Sequence, residues 1–166
     1  MRIFHGNTME LKAPNLKLAA RNGDFGPGIY MSEDKEFARN QAGILARRED
    51  LLFGIVSFFE TPIGLMNYSA LNIRKFQTPG AAWLDFILKN RRMPKKSHSY
   101  DIVSGPAPDD HAYACLNAFE SGLMERAELI TELKSCKLPN QILFHTAKSL
   151  LFLDFIGKEK VPCSKK

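Results

Sequence analysis

The first residues whose types suggest chemistry are His5 and Gly6, which close a short apolar run at the start of the chain. An imidazole offers a hydrogen-bond donor and an acceptor, and a glycine leaves the neighbouring backbone bare, so that a planar ligand can approach it closely. Taken alone, this pair is also typical of a surface histidine beside a turn. Its meaning depends on the motifs that follow.

A second motif is the glycine turn at residues 24–31, which reads Asp-Phe-Gly-Pro-Gly-Ile-Tyr-Met. Gly26 and Gly28 flank a proline and shape a loop, and Tyr30 presents a flat ring on which another aromatic ring can stack. Because the glycines and proline fix the backbone, we expect the turn to form without the Tyr30 ring. The motif lacks the Lys-Ser/Thr ending of a P-loop and the strand–turn–helix context of a dinucleotide-binding GxGxxG motif. The alternative is a tight turn before a core tyrosine.

A third motif lies late in the chain, where residues 140–145 read Asn-Gln-Ile-Leu-Phe-His. A polar amide, Gln141, begins an apolar strand there. On its own, such a polar strand end is very common.

Together these motifs resemble the ADP-ribosyltransferases of the poly(ADP-ribose) polymerase and diphtheria-toxin type. That superfamily has a His-Gly pair on an early strand, a glycine-rich turn ending in tyrosine, and a third polar residue, usually Glu, at the start of a late strand. The chain is also similar to a bacterial family of small domains with this fold, which shows two further segments, Tyr-Asp-Ile-Val-x-Gly-Pro and Gln-Ile-x-Phe-His-Thr. All four segments of that family are present here, between residues 5 and 146.

The resemblance implies an α+β fold, specifically an ADP-ribosyltransferase-like split β-sandwich with peripheral helices. It also implies a mono-ADP-ribosyltransferase that uses NAD as its substrate. By that resemblance the Gly6 backbone binds the nicotinamide carboxamide, His5 binds a hydroxyl of the adenosine ribose, Tyr30 stacks on nicotinamide with Gly28 shaping the site, and Gln141 binds the nicotinamide ribose. Such domains often occur in toxin–antitoxin contexts, which implies a toxin role, a macromolecular acceptor (protein or nucleic acid) and an antitoxin protein as partners.

The sequence departs from the superfamily at Gln141. Cleavage of the glycosidic bond of NAD passes through an oxocarbenium-like state, which a carboxylate stabilises and a neutral amide does not. The first acids to consider as a replacement are Asp109 and Asp110, whose alternative role is helix N-capping. Phe37 is the nearest candidate for a second stacking aromatic, with a place in the core as its alternative.

Composition limits the class of protein. The 166 residues carry a formal net charge of +5, which favours an anionic ligand or partner. The basic residues form two dense stretches, Arg91, Arg92, Lys95 and Lys96, and Lys158, Lys160, Lys165 and Lys166. The three cysteines are odd in number and lack CxxC spacing, which predicts no disulfide framework and no metal site. With no apolar signal core and no run of transmembrane length, we expect a single cytoplasmic domain over residues 1–166 with no membrane partner.

Local patterns predict the elements that position these motifs. We expect strands at 2–5, 29–31, 51–59, 71–76, 100–105, 141–145 and 150–155. We expect helices at 33–49 with Ser32 as N-cap, from Pro79 to Asn90, from Asp109 or Asp110 to Ser121, and at 124–135. In the first helix Phe37, Gln41, Ile44, Leu45 and Arg48 share one face. Six or seven short strands among about four helices indicate α+β rather than a parallel βαβ repeat.

Three functions remain open at this point. The first is an ADP-ribosyltransferase. The second is a module that binds NAD but does little chemistry. The third is a nucleic-acid-binding domain that uses the basic stretches and needs no NAD.

Overall fold

The computed structural model describes residues 1–92 and 98–163. These residues form a mixed α+β fold with two sheets and five α-helices. The α+β prediction is therefore confirmed. Four lysines of the two basic stretches lie outside the described residues: Lys95, Lys96, Lys165 and Lys166.

The elements alternate along the chain. The strands are β1 (Arg2–Asn7), β2 (Ile29–Met31), β3 (Phe53–Glu60), β4 (Ile73–Lys75), β5 (Ile102–Pro106), β6 (Asn140–Phe144) and β7 (Asp154–Pro162). The helices are α1 (Lys35–Arg48), α2 (Ala81–Arg92), α3 (Asp110–Glu120), α4 (Arg126–Ser135) and α5 (Ala147–Leu150). Two short 3-10 turns cover Leu16–Leu18 and Leu65–Asn67.

An isolated backbone bridge links the two sheets. One sheet has the order β1-β3-β7 and is antiparallel; the other has the order β2-β6-β5-β4, in which only β4 and β5 run parallel. Phe4 and Ser32 exchange backbone hydrogen bonds of 2.8 and 2.9 Å across the two sheets. Because that bridge is isolated, β1 and β2 are not paired on its Gly6 side.

Apolar side chains fill both faces of the four-stranded sheet. Ile29 and Met31 of β2 join a cluster between the two sheets, together with Ile3 and Phe59. The other face packs on α2, α3 and α4 around the fully buried Trp83. Since side chains alternate along a strand, Tyr30 and Gln141 point to the helix-covered face.

Helix α1 packs on the three-stranded sheet through small residues. Its buried residues are Ala38, Ala42, Gly43 and Ala46. A Cβ added at Gly54 would lie 2.4 Å from the Ala42 carbonyl oxygen, so the helix and sheet backbones are in close contact. The predicted shared face of Phe37, Gln41, Ile44, Leu45 and Arg48 exists, but it lines a cavity and is not the packing face.

Two sequence predictions of element position are wrong. The N-cap of α1 is Asp34, whose side chain accepts a hydrogen bond from the Phe37 N–H, and not Ser32. No strand covers 150–155: Thr146 and Ser149 form a capping box that starts α5, and β7 begins only at Asp154. The capping box stabilises a helical turn where the apolar run alone suggested a strand.

The described residues contain no helix long and apolar enough to span a membrane. They also contain no group of three or more His, Cys, Asp or Glu side chains arranged to hold a metal ion. Cys115, Cys136 and Cys163 are free thiols.

Candidate functional site

A cavity of about 700 Å³ lies where the two sheets separate. Small-molecule sites typically enclose about 300–1,000 Å³, so this cavity has room for a ligand of cofactor size. β1, β2, α1 and the start of α3 form its walls. Every site residue predicted from the sequence lines it: His5, Gly6, Gly28, Tyr30, Phe37, Asp110 and Gln141.

His5 is held in one tautomer. Its Nδ1 lies 2.8 Å from the Tyr30 carbonyl oxygen, which can only accept, so Nδ1 carries the proton. Its Nε2 lies 3.3 Å from the Asn7 side-chain nitrogen and therefore accepts. Burial lowers the pKa of His5, which favours this neutral form. Nε2 is thus an acceptor suited to a ligand hydroxyl.

Gly6 serves both packing and the cavity. A Cβ at this position would lie 2.0 Å from the Ala38 carbonyl oxygen, so only glycine lets β1 approach α1 this closely. Phe4 directs its backbone groups toward Ser32, away from β3. Because alternate residues of a strand direct their N–H and C=O groups to the same edge, those of Gly6 also face away from β3 and toward the cavity.

The glycine turn is fixed through its carbonyl groups. Five consecutive carbonyl oxygens each accept a hydrogen bond: Asp24 from Asn90 (3.3 Å), Phe25 from His98 (2.7 Å), Gly26 from the Tyr30 hydroxyl (2.6 Å), Pro27 from His145 (2.6 Å) and Gly28 from the Ala20 N–H (2.9 Å). Donors from α2, β2 and the segments beside β5 and β6 therefore determine the shape of the turn.

The turn also requires its two glycines. Gly26 and Gly28 have φ angles of +100° and +151°, which residues with a Cβ rarely adopt. At Gly28 space is lacking as well, since a Cβ would lie 2.4 Å from a Leu143 methyl carbon and 2.5 Å from the Phe144 carbonyl oxygen.

Tyr30 is part of the turn as well as of the cavity wall. Its hydroxyl donates to Gly26 and accepts a 3.1 Å hydrogen bond from the Phe25 N–H, and its ring packs against the helix-side core. Burial raises the pKa of Tyr30, so the phenol stays protonated. The two hydrogen bonds of the hydroxyl argue against the expectation that the turn forms independently of this side chain.

Asp24 is a site residue that sequence reasoning missed. It is half-buried in the cavity wall, and its Oδ2 accepts a 2.6 Å hydrogen bond from the Tyr113 hydroxyl. Burial raises the pKa of Asp24, while the hydrogen bond from Tyr113, the charge of Arg91 and the amide of Gln141 act in the opposite direction. The available signal was the position of this acid at the head of the glycine turn.

Gln141 is buried without a partner for its amide nitrogen. The side chain is only 8% exposed, and its Nε2 forms no hydrogen bond to any described residue. It lies near enough to Asp24 to favour the ionised carboxylate, although the two do not meet in a well-formed hydrogen bond. An unpaired donor buried in protein is costly, and this one lies in the wall of the cavity.

The acids first considered from the sequence lie at the rim. Asp109 is the N-cap of α3, with its Oδ1 2.8 Å from the Ala112 N–H, as its alternative role predicted. Asp110 follows as the first residue of the helix, and both side chains are exposed. Asp110 borders the cavity but is far more solvated than Asp24.

α1 forms the opposite wall. Phe37 is half-buried, lines the cavity and belongs to none of the described core clusters, which removes its alternative as a core residue. Arg48, near the other end of the same face of α1, adds a cation to this wall.

The basic stretches are largely engaged elsewhere in the fold. Arg91 pairs with Glu120 at 3.1 Å, and Lys158 pairs with Glu10 at 2.5 Å. These ion pairs reduce the charge that the described part of each stretch offers to a polyanion.

The family described as "Protein of unknown function (DUF3990)" matches the chain over residues 1–155. The chain belongs to this family. No curated protein and no solved structure matches it. The DUF3990 match spans every cavity residue named above, from His5 to Gln141, and ends inside β7.

Proposed function

We propose that this DUF3990 protein is an NAD-dependent mono-ADP-ribosyltransferase with an ADP-ribosyltransferase-like split β-sandwich, acting on a macromolecular acceptor. The observation that carries the proposal is the convergence of three recognition groups in one cavity where the sheets separate. These groups are the free backbone edge at Gly6, the ring of Tyr30 and the unpaired buried amide of Gln141.

Each group suits one part of NAD. The N–H and C=O of Gly6 match the acceptor and donor of the nicotinamide carboxamide, and the Tyr30 ring offers a stacking face. The neutral His5 Nε2 accepts from a hydroxyl of the adenosine ribose. On the opposite wall Phe37 offers a second aromatic face, and Arg48 offers a cation for the pyrophosphate.

The reaction needs the nicotinamide ribose held in one place. The bond between the ribose C1′ and the nicotinamide nitrogen breaks, and its electron pair leaves with neutral nicotinamide. A nucleophile on the acceptor then attacks C1′ and loses a proton. The glycine turn, whose carbonyl groups are held by hydrogen bonds, supplies the rigid positioning that this chemistry requires.

A second candidate is a protein that binds NAD without transferring ADP-ribose, and the neutral Gln141 favours it. Nucleic-acid binding has weaker support because Arg91 and Lys158 already have acidic partners. The toxin role, an antitoxin partner and a cytoplasmic location belong to the proposal through the family resemblance, and the three free thiols agree with a reducing compartment.

The test measures thermal unfolding with NAD and release of nicotinamide. At about one hundred times the dissociation constant, NAD should stabilise the fold by about 2.7 kcal/mol. His5→Ala should reduce that gain, whereas His111→Ala should not, because His111 lies outside the cavity and pairs with Glu132. Incubating lysate with labelled NAD and the protein, followed by mass spectrometry, identifies the acceptor. Absence of both stabilisation and nicotinamide release rejects the proposal; stabilisation without release supports the binding module.

A further inference from the structure

We propose that the carboxylate of Asp24 supplies the negative charge that Gln141 lacks, and that Tyr113 positions it. The inference rests on the proposed function, because it assigns a catalytic residue to the same NAD site. Asp24 is the first residue of the glycine turn, and it lines the cavity.

The position of Asp24 is set by groups distant in the chain. Tyr113 of α3 donates to its Oδ2 across 89 residues of sequence. Its backbone carbonyl is bound by Asn90 of α2, so both ends of the residue are held. Arg91 adds a nearby positive charge but is itself paired with Glu120 at 3.1 Å, which leaves the carboxylate only partly compensated.

Gln141 relates this carboxylate to the substrate. Gln141 and Asp24 line the same cavity, and the Gln141 side chain is close enough to lower the pKa of Asp24. A ribose hydroxyl that binds the Gln141 side chain therefore brings the ribose next to Asp24. Two residues thus share the work of a single glutamate: Gln141 holds the sugar and Asp24 provides the charge.

The step is a hydrolysis or transfer at C1′ of the ribose. As the bond to nicotinamide breaks and its electron pair leaves with the ring, positive charge builds on the ribose, and the Asp24 carboxylate stabilises it. Water or an acceptor hydroxyl then forms the new bond to C1′, and Asp24 takes the proton released. Atoms and charges balance without a further reactant.

Asp24 suits this role better than Asp110. Both border the cavity, but the exposed Asp110 is screened by water, whereas Asp24 is shielded by the turn and α3. A charge acts more strongly on its neighbours in the lower dielectric of the protein than at the surface. Burying a carboxylate also opposes folding, a cost that chains accept at functional sites.

The principal test compares Asp24→Asn with the matched control Asp154→Asn, an exposed carboxylate of β7 outside the cavity. Asp24→Asn should keep the NAD-induced thermal shift but release nicotinamide about 100-fold or more slowly, the usual effect of losing a transition-state electrostatic contact. Asp154→Asn should match the wild type. The assignment would be overturned if Asp24→Asn released nicotinamide at the wild-type rate or no longer bound NAD. It would also be overturned if Asp110→Asn, instead of Asp24→Asn, showed the slower release.

A second variant covers the case in which Asp24→Asn does not fold. Tyr113→Phe removes a hydrogen bond that lowers the pKa of Asp24, so the acid limb of the kcat profile should move to higher pH. An unmoved limb contradicts the inference. If the wild type neither binds nor cleaves NAD, the proposed function fails, and with it the role of Asp24. If the wild type binds and cleaves NAD but Asp24→Asn and Tyr113→Phe do not give the expected results, the proposed function stands and only the role of Asp24 is wrong.

Discussion

The Tyr30 hydroxyl donates a 2.6 Å hydrogen bond to the carbonyl oxygen of Gly26, four residues before it. The Tyr30 hydroxyl oxygen also accepts a hydrogen bond from the Phe25 N–H. A single phenol therefore closes the glycine turn and presents its ring to the cavity, so that folding and ligand binding depend on one side chain.

Removing only that hydroxyl should destabilise the fold. In Tyr30→Phe the ring remains, but the Gly26 carbonyl and the Phe25 N–H lose their partner, which we expect to cost about 1–3 kcal/mol of unfolding free energy. Tyr30→Ala should cost more, because it also empties core volume. Urea unfolding measures both, and Tyr68→Phe, at an exposed tyrosine, is the control. Equal stability of Tyr30→Phe and the wild type would show that the turn does not need the hydroxyl.

Gly6→Ala should disrupt the packing of β1 on α1 and so prevent folding, whatever its effect on ligand binding. Its Cβ would lie 2.0 Å from the backbone oxygen of Ala38, which cannot move without shifting α1. We expect severe destabilisation or no folded protein, seen by circular dichroism and chemical unfolding. Gly43→Ala, on the same helix, meets only the flexible end of Arg47 at 3.4 Å and should stabilise by up to about 1 kcal/mol. A well-folded Gly6→Ala would contradict the close contact of β1 and α1.

The unfolding free energy should show a term from Asp24 that declines as pH rises. Its folded pKa lies above the ordinary 3.8, so its favourable contribution is complete below that pH and is lost as pH rises through the folded pKa. Asp24→Asn has no such term. The unfolding free energy of Asp24→Asn minus that of the wild type, measured by urea titration, should therefore increase from acid toward neutral pH. A decrease in this quantity would refute the direction of the pKa shift.

His5 should remain neutral, with its proton on Nδ1. Because burial lowers its folded pKa below 6.5, its contribution to stability is present above that pH and is lost as pH falls from there toward the folded pKa. Ring-nitrogen chemical shifts recorded by NMR across this range report the tautomer directly. A proton on Nε2 at neutral pH would remove the acceptor assigned to the ribose hydroxyl.

Gln141→Met should raise stability and impair NAD use. Methionine has a similar length and leaves no buried amide without a partner, which we expect to gain about 1–2 kcal/mol. The same change removes the group that holds the ribose, so the NAD-induced thermal shift should shrink. Gln77→Met, at an exposed glutamine, should alter neither quantity. Loss of stability in Gln141→Met would instead assign Gln141 a structural role.

Short-range patterns predicted most of the elements that hold the site. The strand carrying Tyr30, the helix carrying Phe37 and the strand beginning at Gln141 all follow from alternation, glycine punctuation and capping. These signals act within a few residues, so they are readable without the rest of the chain. The motif residues also converge in one cavity, although only the resemblance suggested that they would.

The errors arise where distant parts of the chain decide the structure. The apolar pattern predicts the last strand at 150–155, but β7 is defined by pairing with β3, from Asp154 opposite Glu60 to Pro162 opposite Phe53. Asp24 has no local signal of its role because its partner Tyr113 is 89 residues away. The packing face of α1 is formed by small residues, with Ala38 against Gly6 and Ala42 against Gly54, and such a face has no distinctive signal in the sequence.

The five bonded carbonyls of the glycine turn have a consequence for synthesis. His98 and His145, which bind the Phe25 and Pro27 oxygens, emerge from the ribosome long after the turn itself. A nascent chain therefore cannot shape this wall until nearly all of it has been made. A chain divided between Tyr30 and His98 would place the turn on one piece and these two histidines on the other.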